Sequence, residues 1–165
     1  MATPSIRKDE AVLTAYASVR INASADEVFG VITSFEKYGS GYSQYKWDDH
    51  RGKTPIVGAK GLYSFQVEEI QDRNIPVVLT LLDPARKKMA AKTIGYPDWL
   101  LGSERVQHVV SIKGRSNICE YRTWITLEGL AAYYPLLTAK DELQDVARDA
   151  AMELKIFIEG RNRKG

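Results

Sequence analysis

The chain has 165 residues, 44 % of them hydrophobic and 27 % charged, with a formal net charge of +2. That is the composition of a water-soluble globular protein, and the length suits one domain, 1–165, with a substantial core. The charges are dispersed, so no nucleic-acid footprint is seen, and no apolar run approaches the roughly 18 residues of a membrane span.

Cys119 is the only cysteine. It leaves no internal disulfide, which fits a reducing compartment and a cytoplasmic location. MATPSIRKDE lacks the apolar stretch of a signal peptide. Residues 1–10 and 160–165 are expected to be flexible tails.

Residues 12–21, VLTAYASVRI, alternate. Leu13, Ala15, Ala17, Val19 and Ile21 share one face, and Thr14, Tyr16, Ser18 and Arg20 share the other, which predicts a half-buried strand. Ser24 and Glu27 form a capping box ahead of a helical stripe, Val28, Phe29, Val31 and Ile32. A second short helical turn is expected around Phe35–Tyr38, stopped by the glycines of YGSGYS. Tyr45–His50 reads as a weak strand and Arg51–Pro55 as a turn. Gly61–Ile70 reads as a strong strand with Tyr63, Phe65 and Val67 inward. Gln71–Asn74 reads as a turn. Strands follow over Val77–Leu82, Lys88–Gly95, Leu101–Lys113 and Ile118–Leu127. Leu130–Glu159 reads as one long amphipathic helix, with Pro135 kinking or starting it and Gly160 as its C-cap.

Short turns between consecutive strands imply antiparallel pairing. The expected class is α+β: a curved antiparallel sheet of about seven strands wrapped around a long C-terminal helix, with one or two short helices after the first strand.

Three stretches carry a family resemblance. ASVRINASADEVFGVITSFEKY resembles the first strand and capped helix of the START-like superfamily, which includes the birch-pollen-allergen-like and polyketide cyclase/dehydrase proteins. WLLGSERVQHVVSI is similar to its Leu-x-Gly loop and a strand with a central His. ICEYRTWITLEGLAAYYPLL is similar to its last strand and the entry into its C-terminal helix. The resemblance implies the helix-grip fold, with a cavity between sheet and helix for an apolar or aromatic small molecule. Members bind lipids, hormones or quinones, and some catalyse cyclisation, dehydration or condensation. No catalytic set is common to the superfamily, so none is carried over.

Alternation then assigns the walls. In Leu101–Lys113, Arg105, Gln107, Val109 and Ser111 form the more polar face and are expected to meet solvent. Glu104, Val106, His108, Val110 and Ile112 are expected inward, with Glu104 at the cavity rim. In Ile118–Leu127 the inward set is Cys119, Tyr121, Thr123, Ile125 and Leu127. Ala15, Ala17, Ala147, Ala150 and Ala151 place small residues on both walls, which suits either an open cavity or close helix–sheet packing.

The candidate catalytic residues are His108, Tyr63 and Tyr121. An inward His108 titrates near neutrality and suits general acid–base work, and the two tyrosines can orient an oxygen. The alternative is a core histidine bonded to a tyrosine or a buried water. Candidate ligand contacts are Phe65, Val110, Thr123, Ala147, Tyr133 and Leu137. Trp47 and Trp99 are candidates to cover the two mouths, though Trp99 also suits an anchor beneath its own loop.

Asp48, Asp49 and His50 lack metal-ligand spacing and read as a solvated loop. Cys119 reads as a buried structural thiol, and Arg122 as an outer-face charge in cross-strand pairing. Neither metal nor cofactor is expected. The favoured function is cofactor-independent cyclisation, dehydration or isomerisation of a polyketide-like or other secondary-metabolite intermediate. The alternatives are a non-catalytic carrier or sensor of a lipid or quinone, and a solid-cored interaction module. The expected assembly is a monomer or homodimer.

Overall fold

The alternation of VLTAYASVRI becomes β1 (Leu13–Ile21), paired along its whole length with β7 (Arg115–Glu128). The computed structural model of the protein describes residues 1–33, 44–48, 55–67 and 70–162, without the side chains of 44, 65–67 and 70–73. The helical turn expected at Phe35–Tyr38, the Asp49–His50 pair and most of the Arg51–Pro55 turn lie outside the described residues. Ser24 starts α1 (Ala25–Thr33): its Oγ accepts the Glu27 backbone N–H at 3.1 Å.

The remaining strands are β2 (Gln44–Trp47), β3 (Lys60–Val67), β4 (Ile70–Asp83), β5 (Lys88–Thr93) and β6 (Gly102–Ile112). With β1 and β7 they form one antiparallel sheet in the order β1-β7-β6-β5-β4-β3-β2. The expected α+β class and the seven strands hold. Gln71–Asn74, expected as a turn, instead extends β4, because pairing with β3 runs on to Val67↔Ile70. Pro76 is tolerated in this strand because it lies beyond the last β4–β5 pair, Val77↔Thr93, where no ladder needs its missing N–H.

The long helix is broken in two. A 3-10 turn (Leu130–Ala132) and α2 (Tyr133–Thr138) precede α3 (Lys140–Asn162). The break falls at Ala139, whose backbone is not helical (φ −141°, ψ 26°), and not at Pro135. Gly160 lies within α3 and caps nothing.

Helix α3 lies chiefly over β1. Ala15, Ala17, Ala147 and Ala151 all belong to one buried cluster, so these alanines serve close packing. Polar side chains of α3 also bond the backbone of β1. Gln144 accepts from the Tyr16 N–H at 3.2 Å and donates to the Tyr16 carbonyl. Lys155 donates to the Arg20 carbonyl at 2.7 Å, and Glu159 accepts from the Asn22 N–H at 2.9 Å.

On the opposite face of the sheet, Ala90, Val106 and Trp124 form a separate buried cluster with Tyr16 and Leu81 packed against it. The N-terminal segment is held to this side rather than being a free tail. Ser5 donates to Glu104 from its backbone N–H at 2.9 Å and its hydroxyl at 2.8 Å, and Ile6 is 0 % exposed.

Candidate functional site

The site depends on how β6 meets β7. The two strands join through Lys113 and Gly114, with Ile112 opposite Arg115. A regular hairpin would continue with Ser111 opposite Ser116. Ser111 faces Cys119 instead, because an irregularity lets β7 run ahead by three residues. An odd slip exchanges the faces of a strand relative to its neighbour. Tyr121 and Thr123 therefore pair with Val109 and Gln107, and Arg105 pairs with Ile125.

This reverses the expected orientation of β6. Arg105, Gln107 and Val109 face inward, and Glu104, Val106, His108 and Val110 face outward. His108 stands on the outer face between Lys88 of β5 and Arg122 of β7. Partial burial, together with those two cations, lowers its pKa below the ordinary value, against a hydrogen bond with the Arg86 backbone. Glu104 is 0 % exposed on the outer face and is held by Ser5 and Thr80, so it is not at the rim of an inner cavity. Arg122 pairs with Glu120 of its own strand at 2.6 Å, not across strands.

The inner face carries a polar cluster centred on Arg105. Its guanidinium donates from Nη1 to the Tyr63 hydroxyl at 2.8 Å and from Nε to the Thr123 hydroxyl at 3.2 Å. A longer contact of 3.5 Å joins Nη2 to the Tyr121 hydroxyl. Tyr121 donates to Gln107 Oε1 at 2.7 Å, and Thr123 to the Val106 carbonyl at 3.0 Å. Tyr45 packs on Tyr63 with ring centroids 4.8 Å apart and stacks on Trp47 at 5.6 Å.

Burial works against the Arg105 charge, but the oxygens of Tyr63, Tyr121 and Tyr45 outweigh it and hold the pKa above the ordinary value. The group is a permanent cation. Burial pushes Tyr45 and Tyr121 upward, with Arg105 partly opposing, so both hydroxyls keep their protons near neutrality. Among the described residues Arg105 has no ion pair; its hydrogen bonds go to hydroxyls alone. A partly buried cation without a counter-ion is costly, and the hydroxyls only partly replace its water.

The inner face beside this cluster stays partly open to solvent, and this opening is the recess. Because α3 leans toward β1, Tyr63 of β3, Ile75 of β4 and Arg105 of β6 stay only half-buried although they point inward. The flank of α3 turned away from β1 carries Ala150, Glu153 and Phe157, and Phe157 packs against the core. Glu153 is half-buried and within electrostatic reach of Arg105.

Of the expected site residues, the recess brings together Tyr63, Tyr121 and Thr123, with Trp47 packed beside Tyr45. Val110 lies on the outer face with His108. Ala147 is fully packed. Trp99 and Leu137 are 67 % and 83 % exposed, and Tyr133 is also exposed, so none of the three lines the recess, and Trp99 is no buried anchor. The Phe65 side chain lies outside the described residues. Sequence reasoning missed Arg105, Gln107, Tyr45 and Glu153. Cys119 is buried as expected, with its thiol pushed up to about 11, first by burial and then by Glu27. Among the described residues, no helix is long and apolar enough to cross a membrane, and no His, Cys, Asp and Glu side chains gather as a metal site.

No family model matches the sequence, and no curated protein matches it. Solved structures do. Over 88 % of its length the chain matches the di-domain ARO/CYC BexL from the BE-7585A biosynthetic pathway, with a TM-score of 0.67 and 13 % identity, and it spans 46 % of that chain. It also matches Ara h 8.0201 over 92 % of its own length and 98 % of that chain, with a TM-score of 0.62 and 11 % identity. The fold is the helix-grip fold. A further helix-grip neighbour is norcoclaurine synthase from Thalictrum flavum, solved with dopamine and hydroxybenzaldehyde. It has a TM-score of 0.57 and 15 % identity, over 92 % of this chain and 90 % of that one. At such identities the likeness extends to the helix-grip backbone and not to any side chain of the site.

Proposed function

We propose that the recess binds an apolar or aromatic small molecule through one oxygen that is anionic or becomes so, and that the protein catalyses a cofactor-independent cyclisation or dehydration of such a molecule. The observation that carries this reading is Arg105, a half-buried cation whose hydrogen bonds, among the described residues, go to Tyr63, Tyr121 and Thr123 hydroxyls and not to a carboxylate. A ligand oxygen supplies the missing negative charge. When a carbonyl loses an α-proton, charge gathers on its oxygen, and fixed donors in a partly dry site stabilise that charge more than water does. The enolate carbon then attacks a second carbonyl of the same chain, the new alkoxide takes back the proton first removed, and its hydroxyl leaves as water with the remaining hydrogen of the α-carbon, forming a carbon–carbon double bond. Apolar walls from Ile75 and Phe157 hold the chain folded, and this positioning supplies much of the rate. A polyketide-like intermediate has the required alternation of carbonyls and acidic carbons. The helix-grip neighbours BexL and norcoclaurine synthase support the reading as proteins of similar backbone.

The test is incubation with a short poly-β-ketone thioester, followed by mass spectrometry of the products. A cyclised, dehydrated product is expected, formed about 100-fold more slowly by Arg105→Gln, the scale for losing one charge-stabilising donor. A thioester bound in an Arg105-dependent way yet returned unchanged makes the protein a carrier. A thioester that does not bind overturns both readings.

A further inference from the structure

Two carboxylates of α3, Asp149 and Glu153, stand one helical turn apart. Their surroundings differ. Asp149 is exposed, whereas Glu153 is half-buried on the flank between Ala150 and Phe157, the stripe that borders the recess. Glu153 lies within electrostatic reach of Arg105 on the facing sheet, and the two form no ion pair. Arg105 is committed to three hydroxyls. The space between cation and carboxyl is thus bounded by a permanent positive charge on the sheet and a titratable group on the helix.

We propose that Glu153 is the proton-exchanging group of this recess, acting opposite Arg105 on the ligand that Arg105 holds. This rests on the reading of Arg105 as the anchor for a ligand oxygen. Ionised, Glu153 takes the α-proton of a bound carbonyl compound. The C–H pair moves into the C–C bond, the carbonyl pair moves onto oxygen, and Arg105 balances the new charge. Protonated, Glu153 returns that proton to the alkoxide or to the departing hydroxyl. The same arrangement predicts how a stable anion binds: ionised Glu153 repels it, and protonated Glu153 admits it.

The titration supports this role. Burial and the neighbouring Asp149 push the Glu153 carboxyl above its ordinary value, while Arg105 opposes them. Tyr45 and Tyr121 are pushed upward and stay protonated through the range where a carboxyl titrates. His108 lies on the other face of the sheet and serves as a control.

The experiment compares two fluorescent probes that differ by one charge. These are 1-anilinonaphthalene-8-sulfonate and the neutral N-phenyl-1-naphthylamine, titrated between pH 4 and pH 8. In the wild-type chain the preference for the sulfonate should rise roughly tenfold on acidification, the scale of one charge–charge interaction at a partly solvated site. In Glu153→Gln it should stay at the high value throughout. His108→Gln should titrate like the wild type. A Glu153→Gln variant that keeps the wild-type pH dependence overturns the role of Glu153. A preference indifferent to both Arg105→Gln and the gentler Tyr63→Phe overturns the anchor itself, a separate failure.

Discussion

The two faces of β6 each carry a charged side chain, Glu104 outward and Arg105 inward, and differ in how that charge is answered. The outer face holds Val106 at 0 % exposure, Glu104 bound by Ser5 and Thr80, and a tryptophan packed beside them. The inner face holds Arg105 and Tyr63, which keep accessible surface, beside a buried Gln107, Tyr121 and Thr123. Around Glu104 and Val106 the outer face is closed and both carboxylate oxygens of Glu104 are answered, so this part serves stability. The inner face carries a charge that has no ion pair among the described residues, and under the proposed function it serves a ligand. Which face of a strand is more polar says little about which is inside when the inner face carries a hydrogen-bonded polar cluster.

Breaking the outer face should have the largest effect. Glu104→Ala removes the common acceptor of Ser5 and Thr80 and leaves a void, and urea unfolding should report a loss of about 3 kcal/mol. Ligand affinity, once the variant is folded, should not change. Arg105→Gln should do the reverse. Anionic-probe affinity should fall about 10- to 100-fold, the worth of charge-assisted hydrogen bonds, with stability unchanged or raised because a half-buried charge without an ion pair is gone. A matching loss of stability would erase the contrast between the faces.

Tyr63→Phe deletes one hydroxyl from the inner cluster and should weaken anionic-probe affinity by about 1 kcal/mol in a binding titration. The smallest effect belongs to His108→Gln, which should leave probe binding and turnover untouched. His108 still leaves a trace in stability. Its folded pKa lies below the ordinary 6.5 because of burial, Lys88 and Arg122. On acidification the unfolded chain therefore takes the proton first. The stability contributed by neutral His108 is intact above pH 6.5 and is lost as pH falls through the lowered folded value. Thermal unfolding from pH 7.5 to pH 5 should show this decline in the wild type and a flatter profile in His108→Gln.

Much of this fold can be read from residues alone. The alternation of Leu13 to Ile21, the Ser24 cap and the inward set of Tyr121 and Thr123 all follow from local periodicity. The site is harder because it depends on the irregularity between Ser111 and Cys119. A regular turn at Lys113 and Gly114 puts His108 inward beside Cys119. The observed slip puts Arg105 inward instead, and neither strand changes its own alternation. Gln71–Asn74 is misread for a related reason: a polar run looks like a turn, yet at the far end of β4 it pairs with β3. Glu153 has no local signal at all. Only the tilt of α3 toward β1 brings that flank over the recess.

The side chains that α3 sends to β1 have a consequence for assembly. A strand at the end of a sheet presents free amides and carbonyls, which invite a second chain to add on and grow a fibre or a swapped dimer. Here Gln144 occupies both groups of Tyr16, Lys155 takes the carbonyl of Arg20, and Glu159 takes the amide of Asn22. The helix occupies the place where another strand would dock. The same residues that fix α3 beside the recess thus deny β1 to neighbouring molecules, so the end of the sheet best suited by length to templating aggregation is masked from within.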